Sequence, residues 1–297
     1  MMVSRAHDAL PEVLYLTLLS WLIGLSTAAW GLATVHRGAA LSPVPHPFFA
    51  AFLCGLLVGA ALLRMLSDAL EELSRVRRPD HVLLTCVSAT VLLALMETCL
   101  LTPAQKASFE AAARSPPAGR ASANERSSLL FPPSPSAPLH SAAAAPPWRH
   151  FPLSCAVLFA ARVLLGGISL SAGATGYVAT ALSLPLTCCS LQDVSRLVGA
   201  CRSLGQARRS QSFAVVCLAL VFPCGTMIAC ALFWQDQSSK WSEKVHMWRV
   251  VIAGVLIYLA LFLLAPAHSH ARSVNTAYLF AFGVGLSVIT VVEKLSR

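Results

Sequence analysis

Long apolar segments alternate with short polar ones along the chain. A helix needs roughly 20 apolar residues to cross hydrocarbon about 30 Å thick, and eight segments meet that length. They are 12–34, 48–73, 81–102, 151–176, 177–200, 212–234, 247–266 and 275–293. The fourth and fifth segments run into one another through Gly173, Gly176 and Tyr177, so seven spans are the alternative. The pattern predicts an all-α, polytopic membrane helix bundle with about eight transmembrane helices.

Composition supports a membrane location. Hydrophobic residues make up 56% of the chain, charged residues make up 12%, and the mean hydropathy is +0.68. A domain with a solvated surface carries far more charge. The formal charge is +9, but the arginines are dispersed over many short loops, whereas nucleic-acid binders concentrate them on one element. We expect an integral, multi-pass protein that contacts membrane lipids and no nucleic acid.

One long segment differs from the rest. Residues 103–149 are rich in Pro, Ser and Ala, a composition that does not bury a core. We predict a disordered variable loop there. It divides the chain into transmembrane helices 1–3 in residues 1–102 and transmembrane helices 4–8 in residues 150–297.

The second apolar segment resembles the second helix of the ZIP family of divalent metal transporters. In that family a glycine-bearing apolar run ends in His-Leu-Leu-Pro-Glu-Ala-Leu-Glu. Here Gly55 and Gly59 precede Arg64-Met65-Leu66-Ser67-Asp68-Ala69-Leu70-Glu71. Arginine replaces the histidine and serine replaces the proline. The layout is also similar, because ZIP proteins have three helices, a variable loop and five further helices, a 3+5 arrangement.

Three later segments resemble the family in the same order. Glu97 stands near the end of the third apolar run, as in many relatives. Phe222-Pro223-Cys224-Gly225 is similar to the Glu-Pro-x-Gly signature of the sixth helix, without its acid. The AGVLIYLA run at 253–260 is similar to the Ala-Gly-Thr-Phe-Leu-Tyr-Val-Ala run of the seventh helix.

The resemblance implies transport of a divalent metal cation, zinc foremost, held midway through the bilayer by the fourth and fifth helices. The fourth-helix motif His-Asn-x-x-Glu-Gly falls on 161–166, which keeps only the glycine. The fifth-helix motif His-x-x-Pro-Glu-Gly falls on 188–193, where Cys188, Gln192 and Asp193 offer a thiol, an amide and a carboxylate. With Asp68, at an acidic position of the second-helix pattern, these are the expected metal ligands. Packing of Cys188 and an interhelical hydrogen bond from Gln192 are the alternatives.

Several charged residues interrupt the apolar segments, and Arg64, Arg162 and Asp193 are among them. An arginine near a helix centre costs about 2.5 to 3.5 kcal/mol on insertion scales, so such groups are paired or hydrated. We expect Arg64 to pair with Asp68 one turn on, or Arg162 to pair with Asp193 across two helices, with a guanidinium in place of a bound ion. The alternative is that both arginines lie near the membrane surface and extend to water.

The sequence therefore leaves three functions open. The first is divalent cation transport, with the metal ion as substrate and no prosthetic group. The second is a transport-inactive structural or regulatory subunit of a membrane complex, and the third is transport of an anionic or organic solute past Arg64 and Arg162. The chain has no GxSxG, HExxH or phosphate-binding glycine loop, so we do not expect an enzyme. Assembly into a homo-oligomer is a further open alternative.

Overall fold

The computed structural model of the chain describes residues 2–37, 46–73, 79–100, 151–172, 176–203, 205–234, 242–268 and 276–296. These residues are helical apart from His46 and the short turn at 205–207. The helices are α1 (Met2–Arg37), α2 (Pro47–Gly59), α3 (Ser67–Leu73), α4 (Pro79–Leu100), α5 (Phe151–Ala172), α6 (Gly176–Ser203), α7 (Arg208–Trp234), α8 (Ser242–His268) and α9 (Thr276–Ser296). The prediction of an all-helical chain is confirmed for this part. The predicted loop at 103–149 lies outside it.

Six helical spans in the described residues are long and apolar enough to cross a membrane: Pro11–Arg37, Pro47–Leu73, Pro79–Leu100, Cys155–Ala172, Arg208–Leu232 and Lys244–Leu264. This is the property of an integral, multi-pass membrane protein. Helix α6 is not among them, since Asp193, Arg196 and Arg202 make it polar. Helix α9 has a shorter apolar portion, Ala277–Val292.

The second long helix changes its winding midway. A π-helical segment, Ala60–Leu66, joins α2 to α3, so that the three segments form one continuous helix. Such wider turns are rare and often occur at functional sites. Arg64 lies in this segment, and its Nε is 3.4 Å from Oδ2 of Asp68 in α3. The local ion pair expected from the sequence is therefore present.

Helices α5 and α6 are two separate helices that pack antiparallel. Arg162 of α5 contacts Asp193 of α6, and Gly166 of α5 contacts Leu186 of α6. The residue numbers rise along α5 while they fall along α6, so the two helices run in opposite directions. The chain therefore reverses between Ala172 and Gly176. The joined segments of the sequence pattern are two helices and not one.

The helices pack mainly within two groups. The first group contains α1, α5, α6 and α7, and the second contains α2, the π-helical segment, α3, α4, α8 and α9. In the first group a Cβ at Gly167 or Gly225 would overlap the carbonyl oxygen of Phe222 or Leu164 on the facing helix. In the second group Gly55 and Gly285 make the matching contact between α2 and α9. Small residues thus allow backbone contact inside each group.

The packing contains an internal repeat. The pair α1–α6 corresponds to α7–α5, and α2–α9 corresponds to α8–α4. Across the group boundary, α2–α6 corresponds to α8–α5, and α4–α5 to α9–α6. These contacts are therefore preserved when each helix is exchanged with its counterpart. The counterparts are α1 and α7, α2 and α8, α4 and α9, and α5 and α6.

The repeat is inverted. Helix α1 runs parallel to α6, because Tyr15 bonds Thr180 and Trp30 bonds Ser195. It runs antiparallel to its counterpart α7, because Gly24 faces Ala219 while Gly31 faces Val215. Inverted repeats of this kind are typical of membrane transporters, whose sites lie between the repeats.

Candidate functional site

Arg162 is the centre of a buried polar cluster at the boundary between the two helix groups. Its side chain is 2% exposed and lies midway along α5. Nη2 is 2.7 Å from Oε2 of Glu97 on α4, and Nη1 is 3.2 Å from Oδ1 of Asp193 on α6. The interhelical pair with Asp193 that the sequence indicated is present. The guanidinium also binds a second carboxylate from the other group.

Tyr258 of α8 completes the ring of oxygens around Arg162. Its hydroxyl accepts hydrogen bonds from Arg162 Nε at 2.9 Å and Nη2 at 2.5 Å. The same hydroxyl donates to Glu97 Oε2 at 2.7 Å. Four helices thus supply the guanidinium and its three oxygen partners. Charge-assisted bonds of this kind are stronger than neutral ones, and the apolar surroundings do not screen them.

An aromatic ring lies beside both arginines of the cluster. The guanidinium carbon of Arg162 is 4.0 Å from the ring centroid of Phe262, and that of Arg196 is 4.3 Å from it. Both distances are within the range of cation–π attraction. Among the described residues, no carboxylate oxygen lies within 4.0 Å of Arg196. Phe262 therefore stabilises a positive charge that the carboxylates do not contact directly.

The formal charges of the cluster cancel. Arg162 and Arg196 supply two positive charges, and Glu97 and Asp193 supply two negative ones. Glu97 is 22% exposed, whereas Arg162 and Asp193 are 2% and 1% exposed. The cluster is therefore closed around Arg162 and reaches the surface on the side of α4.

Gln192 and Asp193 carry polar atoms without a partner. Both amide atoms of Gln192 and Oδ2 of Asp193 are buried and have no hydrogen-bond partner among the described residues. Buried polar groups are normally satisfied by protein or by ordered water. The interhelical hydrogen bond that was the alternative role of Gln192 is thus not found in the described part of the chain.

The expected metal ligands are only partly brought together. Cys188, Gln192 and Asp193 lie within about 1.4 turns of α6, with Cys188 half-buried. Asp193 Oδ1 forms an ion pair with Arg162, and Asp68 forms an ion pair with Arg64 of the same continuous helix. In the part of the chain that the structure describes, no three His, Cys, Asp or Glu side chains converge as metal ligands. The ligand roles of these residues stay predictions.

Sequence reasoning did not assign roles to Glu97, Tyr258, Phe262 or Arg196 in this cluster. Glu97 carried the clearest signal, because it is an isolated acid in an apolar helix and such a group needs a partner. Tyr258 and Phe262 stand in an apolar run where nothing marks them as polar contacts. Comparison with known proteins adds no assignment, since no family model and no curated protein matches the chain.

Proposed function

We propose that this chain is a ZIP-like membrane protein that does not transport divalent cations and acts as a structural or regulatory subunit of a membrane complex. The observation that carries the proposal is the position of Arg162. Its guanidinium binds Tyr258 and the carboxylates of Glu97 and Asp193, and carboxylate oxygens are ligands that hard and borderline cations use. A fixed positive charge occupies their centre.

Electrostatics opposes entry of a second cation. A divalent ion at Asp193 would lie close to the Arg162 guanidinium, and Arg196 adds another positive charge beside Phe262. In an interior of low dielectric, like charges a few ångströms apart repel strongly. Metal binding would also require Arg162 to release its ion pairs with Glu97 and Asp193.

The architecture supports kinship with transporters. We propose eight membrane crossings in the 3+5 layout, with α6 and α9 as the fifth and eighth. The parallel packing of α1 with α6 and the antiparallel packing of α1 with α7 fit a chain that reverses direction at each crossing. Helix α6 spans despite its charges, because they face the cluster or the other helices of the bundle.

Transport of zinc is the second candidate, and one observation favours it. Oδ2 of Asp193 and the amide of Gln192 are buried on consecutive residues of α6 and have no hydrogen-bond partner among the described residues, and Gln192 lies one turn after Cys188. Sulfur, carbonyl and carboxylate donors suit zinc. In this account the metal ion is the substrate and binds only after Arg162 has moved.

Uptake by proteoliposomes separates the two candidates. Purified protein is reconstituted and supplied with radioactive zinc, iron or manganese, with Asp193→Ala and Cys188→Ala as controls. We expect no uptake above that of empty liposomes for any of the three cations. Saturable uptake that either substitution abolishes would reject the proposal and establish the transport function.

A further inference from the structure

We infer that the contacts of Arg162 with Glu97 and Tyr258 form a releasable latch between the two helix groups. Arg162 belongs to the first group, whereas Glu97 and Tyr258 belong to the second. Opening the boundary breaks these contacts and leaves the Arg162–Asp193 pair intact. The inference concerns motion of the bundle and does not depend on whether an ion is transported.

The latch is distinguished by where it lies. Several interhelical hydrogen bonds between described residues join helices of the same group: Tyr15 with Thr180, Trp30 with Ser195, Thr226 with Gly167, and Thr90 with Gly254. The bonds from Arg162 to Tyr258 and its ion pair with Glu97 cross the boundary. Each group is thus internally cross-linked, and Arg162 connects one group to the other.

The packing on either side favours motion at the boundary. The glycine contacts lie inside the groups: Gly55 faces Gly285, Gly167 faces the backbone of Phe222, and Gly225 faces the backbone of Leu164. Backbone contact of this kind leaves no room for relative displacement. At the boundary the Phe262 ring packs against Arg162 and Arg196, and cation–π attraction tolerates lateral shifts of the ring.

Both sides of the latch keep a polar partner when the latch opens. Asp193 Oδ2 is unused in the closed arrangement, so the Arg162 guanidinium is able to bind both oxygens of Asp193 in a bidentate pair. On the other side, Glu97 keeps its hydrogen bond from Tyr258 and is already 22% exposed to the surroundings. Arg162 then keeps its ion pair with Asp193, while Glu97 loses its counter-charge but keeps a hydrogen bond at a partly exposed position, which allows a second stable arrangement.

Two native cysteines provide a matched pair of reporters. Cys189 lies one turn before Asp193 on α6, beside the latch, and Cys54 lies within the second group on α2. Both are 4% exposed. Two single-cysteine variants are prepared, one retaining Cys189 and the other retaining Cys54. The rate at which a small charged methanethiosulfonate reagent labels each variant is measured in detergent micelles.

Glu97→Gln removes the charge from the latch and retains the shape of the side chain. We expect it to raise the labelling rate of Cys189 about tenfold, the scale of one lost charge-assisted bond, and to leave the rate of Cys54 unchanged. Tyr258→Phe is the second variant, and we expect a rise of at least about tenfold because it removes two hydrogen bonds from Arg162 across the boundary. Glu72→Gln, which neutralises an exposed acid of the same group, is the charge-matched control and leaves both rates unchanged.

The two reporters distinguish latch opening from general loss of structure. A rise at Cys189 alone supports the latch. An unchanged rate at Cys189 in both variants, or equal rises at Cys189 and Cys54, overturns it.

Discussion

Arg162 and Glu97 form a 2.7 Å ion pair although their helices, α5 and α4, belong to different packing groups. Asp193 binds the same guanidinium from within its own group. One arginine is thus shared by two carboxylates from opposite sides of a boundary. This relationship explains how two acids and an arginine are accommodated in an apolar bundle, and it determines which substitutions the fold tolerates.

Loss of Arg162 is expected to be the most damaging single change in the cluster. Arg162→Met leaves Asp193 buried without a counter-charge, and removing one partner of a buried pair costs about 3 to 5 kcal/mol. The double variant Arg162→Met, Asp193→Asn is expected to recover part of that loss. The free energy of unfolding in detergent micelles measures both effects. If Arg162→Met and Asp193→Asn are each harmless alone, the pair does not stabilise the fold.

Tyr258 is expected to stabilise the bundle through its hydroxyl. Tyr258→Phe keeps the ring but removes the group that accepts from Arg162 and donates to Glu97, at a cost of about 1.5 to 3 kcal/mol. Tyr278→Phe is the control, because the Tyr278 ring packs against Phe48 at the edge of the bundle. Thermal unfolding of the two variants side by side tests the difference; equal stabilities would mean that the hydroxyl network contributes nothing.

The Arg64–Asp68 pair is expected to matter little. Its side chains are 20% and 29% exposed and lie four residues apart on one helix. Helical ion pairs with this spacing contribute about 0.3 to 0.5 kcal/mol to the free energy of unfolding. Asp68→Asn should therefore change the unfolding free energy by less than about 1 kcal/mol. A loss comparable with that of Arg162→Met would show that this pair is important for the fold.

Helix contact in the first group is expected to depend on Gly225. A Cβ there would overlap the carbonyl oxygen of Leu164, so Gly225→Ala forces α5 and α7 apart and costs about 1 to 3 kcal/mol. Gly199→Ala is the matched control, because nothing lies within 4 Å of its Cβ position. Alanine at that helical site should be neutral or stabilise by up to about 1 kcal/mol. Similar effects at both glycines would contradict close packing at Gly225.

The sequence predicted the features that arise within one helix or between two helices that follow each other in the chain. Apolar length predicted the helical bundle, and the cost of lone charges gave the pair of Arg162 with Asp193 as one of two expected pairings. Their pairing follows from the reversal between adjacent helices α5 and α6, which brings their midpoints together.

Features set by distant helices were not predicted. Glu97 and Arg162 are separated by the 103–149 segment, and no local pattern records which helices become neighbours. Tyr258 and Phe262 acquire their roles only because α8 packs beside α5. The π-helical segment was also missed, since the run Ala60–Leu66 contains neither proline nor glycine to indicate a change of winding.

Equilibrium binding of radioactive zinc to the purified protein tests the central claim most directly, that the Arg162 guanidinium occupies the place of a cation. Wild type and Asp193→Ala are compared in the same detergent. We expect no bound zinc that depends on Asp193. Zinc bound at one ion per chain in the wild type, and lost in Asp193→Ala, would contradict the account.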